Sequence, residues 1–266
     1  TTRETLLQTG PRLSAAAAQI LPGEAVDVVA YGCTAASIVL GNDAVARALS
    51  AAGIRPRQRI GFLGKNHPAY FELLFGASRA GVVTVPLNCR LAPDEIGWIL
   101  RDAEVSKLFT QREFADVLGQ SDLDLPETIS IEDDYTDWRD SAHGPVEMAA
   151  TSPEDVVVQL YTSGTTGRPK GAQLTNRNLL YYRTWPHDRQ PEWNRFEPED
   201  VGLLVMPIFH IGGTGFGTQI ISAGASALVA NEFNVDFVMD AIANRGLSKL
   251  FVVPTALRML IGHPKA

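Results

Sequence analysis

Cysteine is nearly absent from this chain: Cys33 and Cys89 are the two in 266 residues. They stand far apart and in no CxxC or Cys/His spacing, which excludes a disulfide framework and a zinc-ligand set. A reducing cytoplasm is the expected compartment, and no protein metal site is expected. Excess positive charge is lacking too. Against 30 Asp+Glu there are 23 Lys+Arg, net -7, so no overall positive field draws nucleic acid or an anionic membrane. Long hydrophobic runs are also missing. GLLVMPIF, 202–209, is cut by Pro207 and falls short of the ~18 apolar residues of a membrane span. The alanines Ala15 to Ala18 follow Arg12 but are broken by Gln19, Pro22, Glu24 and Asp27 before a signal-peptide core forms, and read as a short surface helix. A soluble protein is expected, touching lipid only through its substrate; its oligomeric state is not legible.

What is present is a core and a rhythm. With 45% apolar residues the chain can bury a large interior. From about residue 36, helical and strand-like segments alternate, the pattern of βαβ units and a largely parallel sheet. Helices are expected over Ile38–Ala52, closed by Gly53, over Pro68–Ala80, closed by Gly81, and from Pro93 with Asp94 and Glu95 in its first turn. Strands are expected at Arg59–Gly64, Val82–Leu87 and Lys107–Thr110. Residues 118–152 turn acidic and irregular, with a weak strand at Ile129–Ile131, and read as a solvated connection. A second array opens with VVVQLYT, Val156–Thr162. A helix capped by Thr175 runs to about Trp185, and strands at Val201–Val205, Ala225–Ala230 and Leu250–Val253 alternate with helices from Ile211, Val235 and Thr255. The fold class is therefore α/β: subdomains over 1–117 and 153–266, joined by 118–152.

The strand Val156–Thr162 runs directly into YTSGTTGRPKG, 161–171. Glycines at 164 and 167 let the backbone turn several N–H groups toward one small volume, which suits an anion. Hydroxyls of Ser163, Thr165 and Thr166 add neutral donors, and Lys170, held behind the rigid Pro169, adds a cation. The Walker spacing GxxxxGK[ST] is refused, because Pro169 stands where its second glycine belongs. A second constellation is MPIFHIGGTGFG, 206–217, again after a buried strand. Its glycines lack the GxGxxG spacing of a dinucleotide turn, so close backbone approach is the expected use.

YTSGTTGRPKGAQLTNRNLL resembles the phosphate-binding signature of the AMP-forming acyl-CoA synthetases, a family that also holds luciferases, aryl-CoA ligases and peptide-synthetase adenylation domains. PIFH matches the family's Pro, aromatic, His segment, and VVPTALRML, Val252–Leu260, resembles, less specifically, a wall of its acyl pocket. The resemblance implies a two-step reaction: a carboxylate attacks the α-phosphate of ATP, giving an acyl-adenylate and pyrophosphate, and CoA then takes the acyl group. It implies that Thr162, Ser163, Gly164, Thr165, Thr166, Gly167 and Lys170 hold the phosphates of ATP, whose charge Mg²⁺ offsets. It places Phe209, His210, Gly212, Gly213, Thr214 and Gly215 on the carboxylate substrate, with His210 and Lys170 as the catalytic pair. A carboxylate is already ionised at pH 7, so the expected work of His210 is positioning and charge stabilisation. Asn176 departs from the family's usual histidine, and Arg177 and Arg183 read as solvated charges. The family's aromatic-x-Thr-Glu segment, its Thr-Gly-Asp and its lid lysine have no match here. The expectation is an N-terminal fragment of a fatty acid-CoA ligase, inactive alone. The alternatives are an aryl-CoA ligase, a peptide-synthetase domain, or a protein that binds nucleotide or acyl chains without turnover.

Overall fold

The computed structural model describes residues 42–121, 123–144, 149, 151–162, 168–181 and 185–264. The Ala15–Ala18 run, Cys33 and the expected start of a helix at Ile38 lie outside them. In chain order come α1 (Asp43–Ala51), β1 (Arg59–Leu63), α2 (Pro68–Arg79), β2 (Val83–Leu87), α3 (Pro93–Asp102), β3 (Val105–Thr110), α4 (Arg112–Gly119), β4 (Glu127–Ser130) and α5 (Tyr135–Asp140). The chain continues through β5 (Val156–Thr162), β6 (Lys170–Thr175), α6 (Asn176–Leu180), β7 (Val201–Leu204), α7 (Ile211–Ala223), β8 (Ser226–Val229), α8 (Val235–Asn244), β9 (Lys249–Leu250) and α9 (Pro254–Ile261).

Six strands form one sheet, ordered β4-β3-β1-β2-β5-β6, and three form another, ordered β8-β7-β9. Every neighbouring pair is parallel except the hairpin β5–β6. This is the expected α/β architecture of two largely parallel sheets flanked by helices. Side chains alternate along β1 and so divide two cores. Ile60 and Phe62 join the cluster beneath α1 and α2, and Leu63 joins the one beneath α3. Gly61 makes room on that second face, where a Cβ would meet Leu108 at 3.0 Å and Val105 at 3.2 Å. Each large apolar side chain buried this way stabilises the fold by about 1.5–3 kcal/mol.

Besides α6, which ends at Leu180 where a helix to about Trp185 was expected, and β9, which ends at Leu250 where a strand to Val253 was expected, three segments differ from the sequence reading. VVVQLYT was expected to open a second array, but β5 pairs with β2 through Thr84 and Val158 and extends the first sheet. Its buried Val157, Val158 and Leu160 join the cluster beneath α1 and α2, which explains why it must lie there. The edge strand β6 went unread because KGAQLT is largely exposed and carries no apolar alternation. The acidic segment holds β4 and α5 as well as loop: Tyr135 and Trp138 stack edge-on against the buried Phe109, at 6.2 and 4.7 Å. Glu72 of α2 accepts hydrogen bonds there from Tyr135 (2.9 Å) and Arg139 (3.0 Å), so α5 is anchored to α2 and is not merely a solvated connection.

The two sheets meet at Asn66, just past the carboxyl end of β1 and 2% exposed. Its amide donates to the Ala230 carbonyl at 3.0 Å and accepts from the Ile208 N–H at 3.0 Å, while its backbone N–H donates to Asn231 at 3.2 Å. One buried side chain thus ties the carboxyl edges of β1, β7 and β8 together. Helix α7 packs across the seam on α2, where Gly217 leaves space for Phe71; a Cβ there would sit 2.2 Å from the ring.

Candidate active site

In parallel α/β sheets the loops at the carboxyl edge are where ligands bind. Here that edge gathers the loops after β1, β2, β5 and β7, and cations mark it. Lys65 follows β1, Arg90 follows β2, and Lys170 opens β6 beside the end of β5. Thr162 and Lys170 face each other in register at the last pair of the β5–β6 hairpin, and both are exposed. The segment joining them carries Ser163, Gly164, Thr165, Thr166 and Gly167, which lie outside the described residues. Gly171 is dictated by its neighbours: a Cβ would lie 2.6 Å from the Gln159 amide and 3.0 Å from the Tyr161 ring. Only glycine after Lys170 lets those two side chains close against the hairpin.

The PIFH segment turns at Pro207 and places Phe209 and His210 at the start of α7. Phe209 is buried and His210 exposed, with ring centroids 4.8 Å apart. His210 occupies the N-cap position but makes no side-chain cap bond, so its imidazole is left for other partners. Partial burial, and then the nearby charge of Arg90, hold its pKa below the usual histidine value. The ring is therefore neutral at pH 7. Arg90, whose guanidinium lies 6.0 Å from the centre of the Phe209 ring, was missed by sequence reasoning. Its one signal is its place, in a loop just beyond the carboxyl end of a buried strand.

The glycine-rich run is a helix, and helical periodicity divides the residues expected on the substrate. Gly212 and Gly215 lie on one face of α7 and, with Tyr181, Phe196, Phe216 and Phe251, line a cavity of about 530 Å³. Phe216 stands 5.7 Å from Phe196 and 5.8 Å from Phe251, so the walls are a continuous aromatic series. Gln219 donates to Asn194 at 3.2 Å in the same lining, which among the described residues contains no charged side chain. Gly213 and Thr214 turn the other way. A Cβ on Gly213 would lie 2.3 Å from the Pro207 carbonyl oxygen, and the Thr214 side chain is fully buried. Of the run 212–215 expected on the acid, Gly212 and Gly215 are open to the cavity, while Gly213 and Thr214 are packed.

Arg177 and Asn176 are held by neighbouring groups. Arg177 pairs with the exposed Glu154, and Arg183 lies outside the described residues. Asn176 accepts from the Ser78 hydroxyl at 3.3 Å and donates to the Ser152 carbonyl at 3.2 Å. Among the described residues no group of three His, Cys, Asp or Glu could hold a metal ion, and no helix is long and apolar enough to cross a membrane.

Comparison with known proteins shows what the whole chain is similar to. The chain is 36% identical over 225 residues to the fatty acid–[acyl-carrier-protein] ligase ScoC of Streptomyces coeruleorubidus, covering 83% of this chain and 43% of that protein. It is 32% identical over 222 residues to a feruloyl-CoA synthase of an Amycolatopsis species, at 83% and 43% coverage. The chain thus spans less than half the length of these relatives. Its fold matches the N-terminal domain of FACL13 from Mycobacterium tuberculosis with a TM-score of 0.78, at 24% identity, over 93% of this chain and 63% of that one. The AMP-binding enzyme description matches residues 19–266. With the hairpin, the PIFH turn and the whole fold in agreement, the chain belongs to the AMP-binding enzyme family.

Proposed function

We propose that this chain forms the acid-activating part of an AMP-forming acyl-CoA ligase. A carboxylate oxygen attacks the α-phosphorus of ATP, the bond to the bridging oxygen of pyrophosphate breaks, and an acyl-adenylate forms. A thiol, that of CoA, then attacks the acyl carbon and releases AMP. One observation carries the reading: the Ser163–Gly167 segment joins the exposed ends of β5 and β6, where Thr162 and Lys170 stand in register at the carboxyl edge of a parallel sheet.

In this reading Thr162 to Gly167 hold the β- and γ-phosphates through backbone N–H groups and hydroxyls, and Lys170 offsets the charge that develops on departing pyrophosphate. ATP enters as its Mg²⁺ complex, the ion held mainly by phosphate oxygens and water. Neutral His210 and the guanidinium of Arg90 face the incoming carboxylate, and the aromatic cavity along Gly212 and Gly215 takes the uncharged body of the acid. The relatives act on fatty and aromatic acids alike, and an uncharged aromatic lining suits either.

Calorimetric titration of the 266-residue chain with MgATP, and with a sulfamoyl acyl-adenylate analogue, tests the reading. Saturable binding of both is expected, with no pyrophosphate exchange from this chain, which spans less than half the length of the relatives it matches. Binding of neither ligand overturns the proposal, and robust exchange overturns the view that this portion works only as part of a longer enzyme.

A further inference from the structure

Both stems of the phosphate-loop hairpin are fastened to one face of α3. Tyr161, the residue before Thr162, donates its hydroxyl to the Asp102 carboxylate at 2.5 Å and accepts from the Gln159 amide at 2.9 Å. Its ring meets Trp98 edge-on, 6.2 Å between centroids at 87°. On the other stem, the guanidinium of Arg168 lies over the same indole, 5.9 Å from its centre. Trp98 and Asp102 are four residues apart, hence neighbours on one helical face. The indole therefore sits between Tyr161 on the outgoing strand and Arg168, two residues before the returning one.

We propose that Trp98 and Asp102 are positioning residues for phosphate binding: α3 clamps both stems of the hairpin and so fixes where Thr162 and Lys170 stand. The proposal rests on the function proposed above for Lys170 and adds to it a pair of residues on a separate helix. The chemistry suits a clamp. A phenol on a carboxylate is a charge-assisted hydrogen bond with a set direction, and an indole offers its edge to one partner and its face to another. Among the described residues β6 is an edge strand, paired only through the ladder to β5, so contacts of this kind help to hold its position. The base of the loop cannot swing without breaking contacts on α3. Neither Trp98 nor Asp102 reaches the phosphates; each acts through Tyr161 or Arg168.

Trp98→Ala, Asp102→Asn and Tyr161→Phe test this in the 266-residue chain, with two readouts. Amide hydrogen exchange without ligand is expected to accelerate at residues 168–172 while the rest of the first sheet keeps its protection. Titration with tripolyphosphate and with MgATP is expected to show Kd raised about fivefold to tenfold. Trp98→Phe, which keeps an aromatic ring between the stems, is expected to recover most of both. Unchanged exchange at 168–172 overturns the clamp. So does faster exchange throughout the sheet with a fallen melting temperature and no recovery in Trp98→Phe, which makes Trp98 a plain core residue. If the unmodified chain binds neither probe, the phosphate-binding reading fails on its own, and the exchange measurement still decides whether α3 holds the hairpin.

Discussion

The Tyr70 hydroxyl lies 2.7 Å from Thr214 Oγ1, and both side chains are wholly buried. Thr214 in turn donates to the Ile208 carbonyl at 2.5 Å, so the phenol must donate to the threonine. This chain of bonds links α2 to the turn that presents Phe209 and His210. Burial drives the Tyr70 pKa well above the usual tyrosine value, which keeps the phenol protonated and able to donate. Thr214→Val leaves the phenol and the Ile208 carbonyl without partners and is expected to cost about 1–3 kcal/mol. Chemical denaturation measures it; loss of acid binding with unchanged stability would instead put Thr214 on the substrate.

Gly213 and Gly215 make a matched pair two residues apart. A methyl on Gly213 collides with the Pro207 backbone, which cannot move without shifting the His210 turn, whereas on Gly215 it meets only the Ile211 side chain at 3.4 Å. Gly213→Ala is expected to destabilise by about 1–3 kcal/mol or more, as overpacking does. Gly215→Ala is expected to fold normally and narrow the cavity, weakening binding of bulky acids more than short ones. Melting curves together with acid titrations of the two variants separate the effects, and equal loss of stability in both would refute the division of α7 into two faces.

Much of this site is legible in the sequence because its signals are local. Pro169 and Gly171 around Lys170 separate the loop from a Walker turn, and Gly171 proves fixed by contacts within its own hairpin. The buried strands and the caps at Gly53, Gly81 and Thr175 follow from short-range pattern in the same way. What sequence alone does not give is pairing. β5 reads as a strand, but nothing in VVVQLYT says that its neighbour is β2. Arg90 reads as an ordinary loop charge until the fold sets it beside Phe209, 119 residues further along. The helix from Ile211 is legible despite its glycines, poor helix formers tolerated here, but not that Gly213 and Gly217 are pressed against the Pro207 carbonyl and the Phe71 ring.

His210 is expected to titrate below the ordinary histidine value of about 6.5. Partial burial comes first and the charge of Arg90 second. Because the folded-state pKa is depressed, the folded state favours the neutral ring. The associated stability is present above the unfolded pKa and is lost as pH falls through the folded one, in mildly acidic solution. Arg90→Gln removes the repulsive charge, so the pKa should move up toward the ordinary value while remaining below it. An imidazole proton titration by NMR on both proteins reads the shift; an Arg90→Gln pKa equal to or lower than the unmodified one contradicts the placement of Arg90.

Lys170 separates binding from folding most cleanly. It is exposed at the mouth of the hairpin, and its in-register partner Thr162 is exposed with it, so removing the ammonium leaves no buried group unpaired. Lys170→Met keeps an unbranched side chain of similar reach, and stability is expected to stay within about 0.5 kcal/mol, as for surface substitutions generally. A charge-assisted contact to a phosphate oxygen is lost, however, and MgATP affinity should fall about tenfold. Raised salt should weaken the unmodified protein more than the variant, since screening acts on the charge the variant has lost. If Lys170→Met binds MgATP as the unmodified chain does at low salt, the lysine does not touch the phosphates, and the cation at this edge must be sought at Arg90 or Lys65 instead.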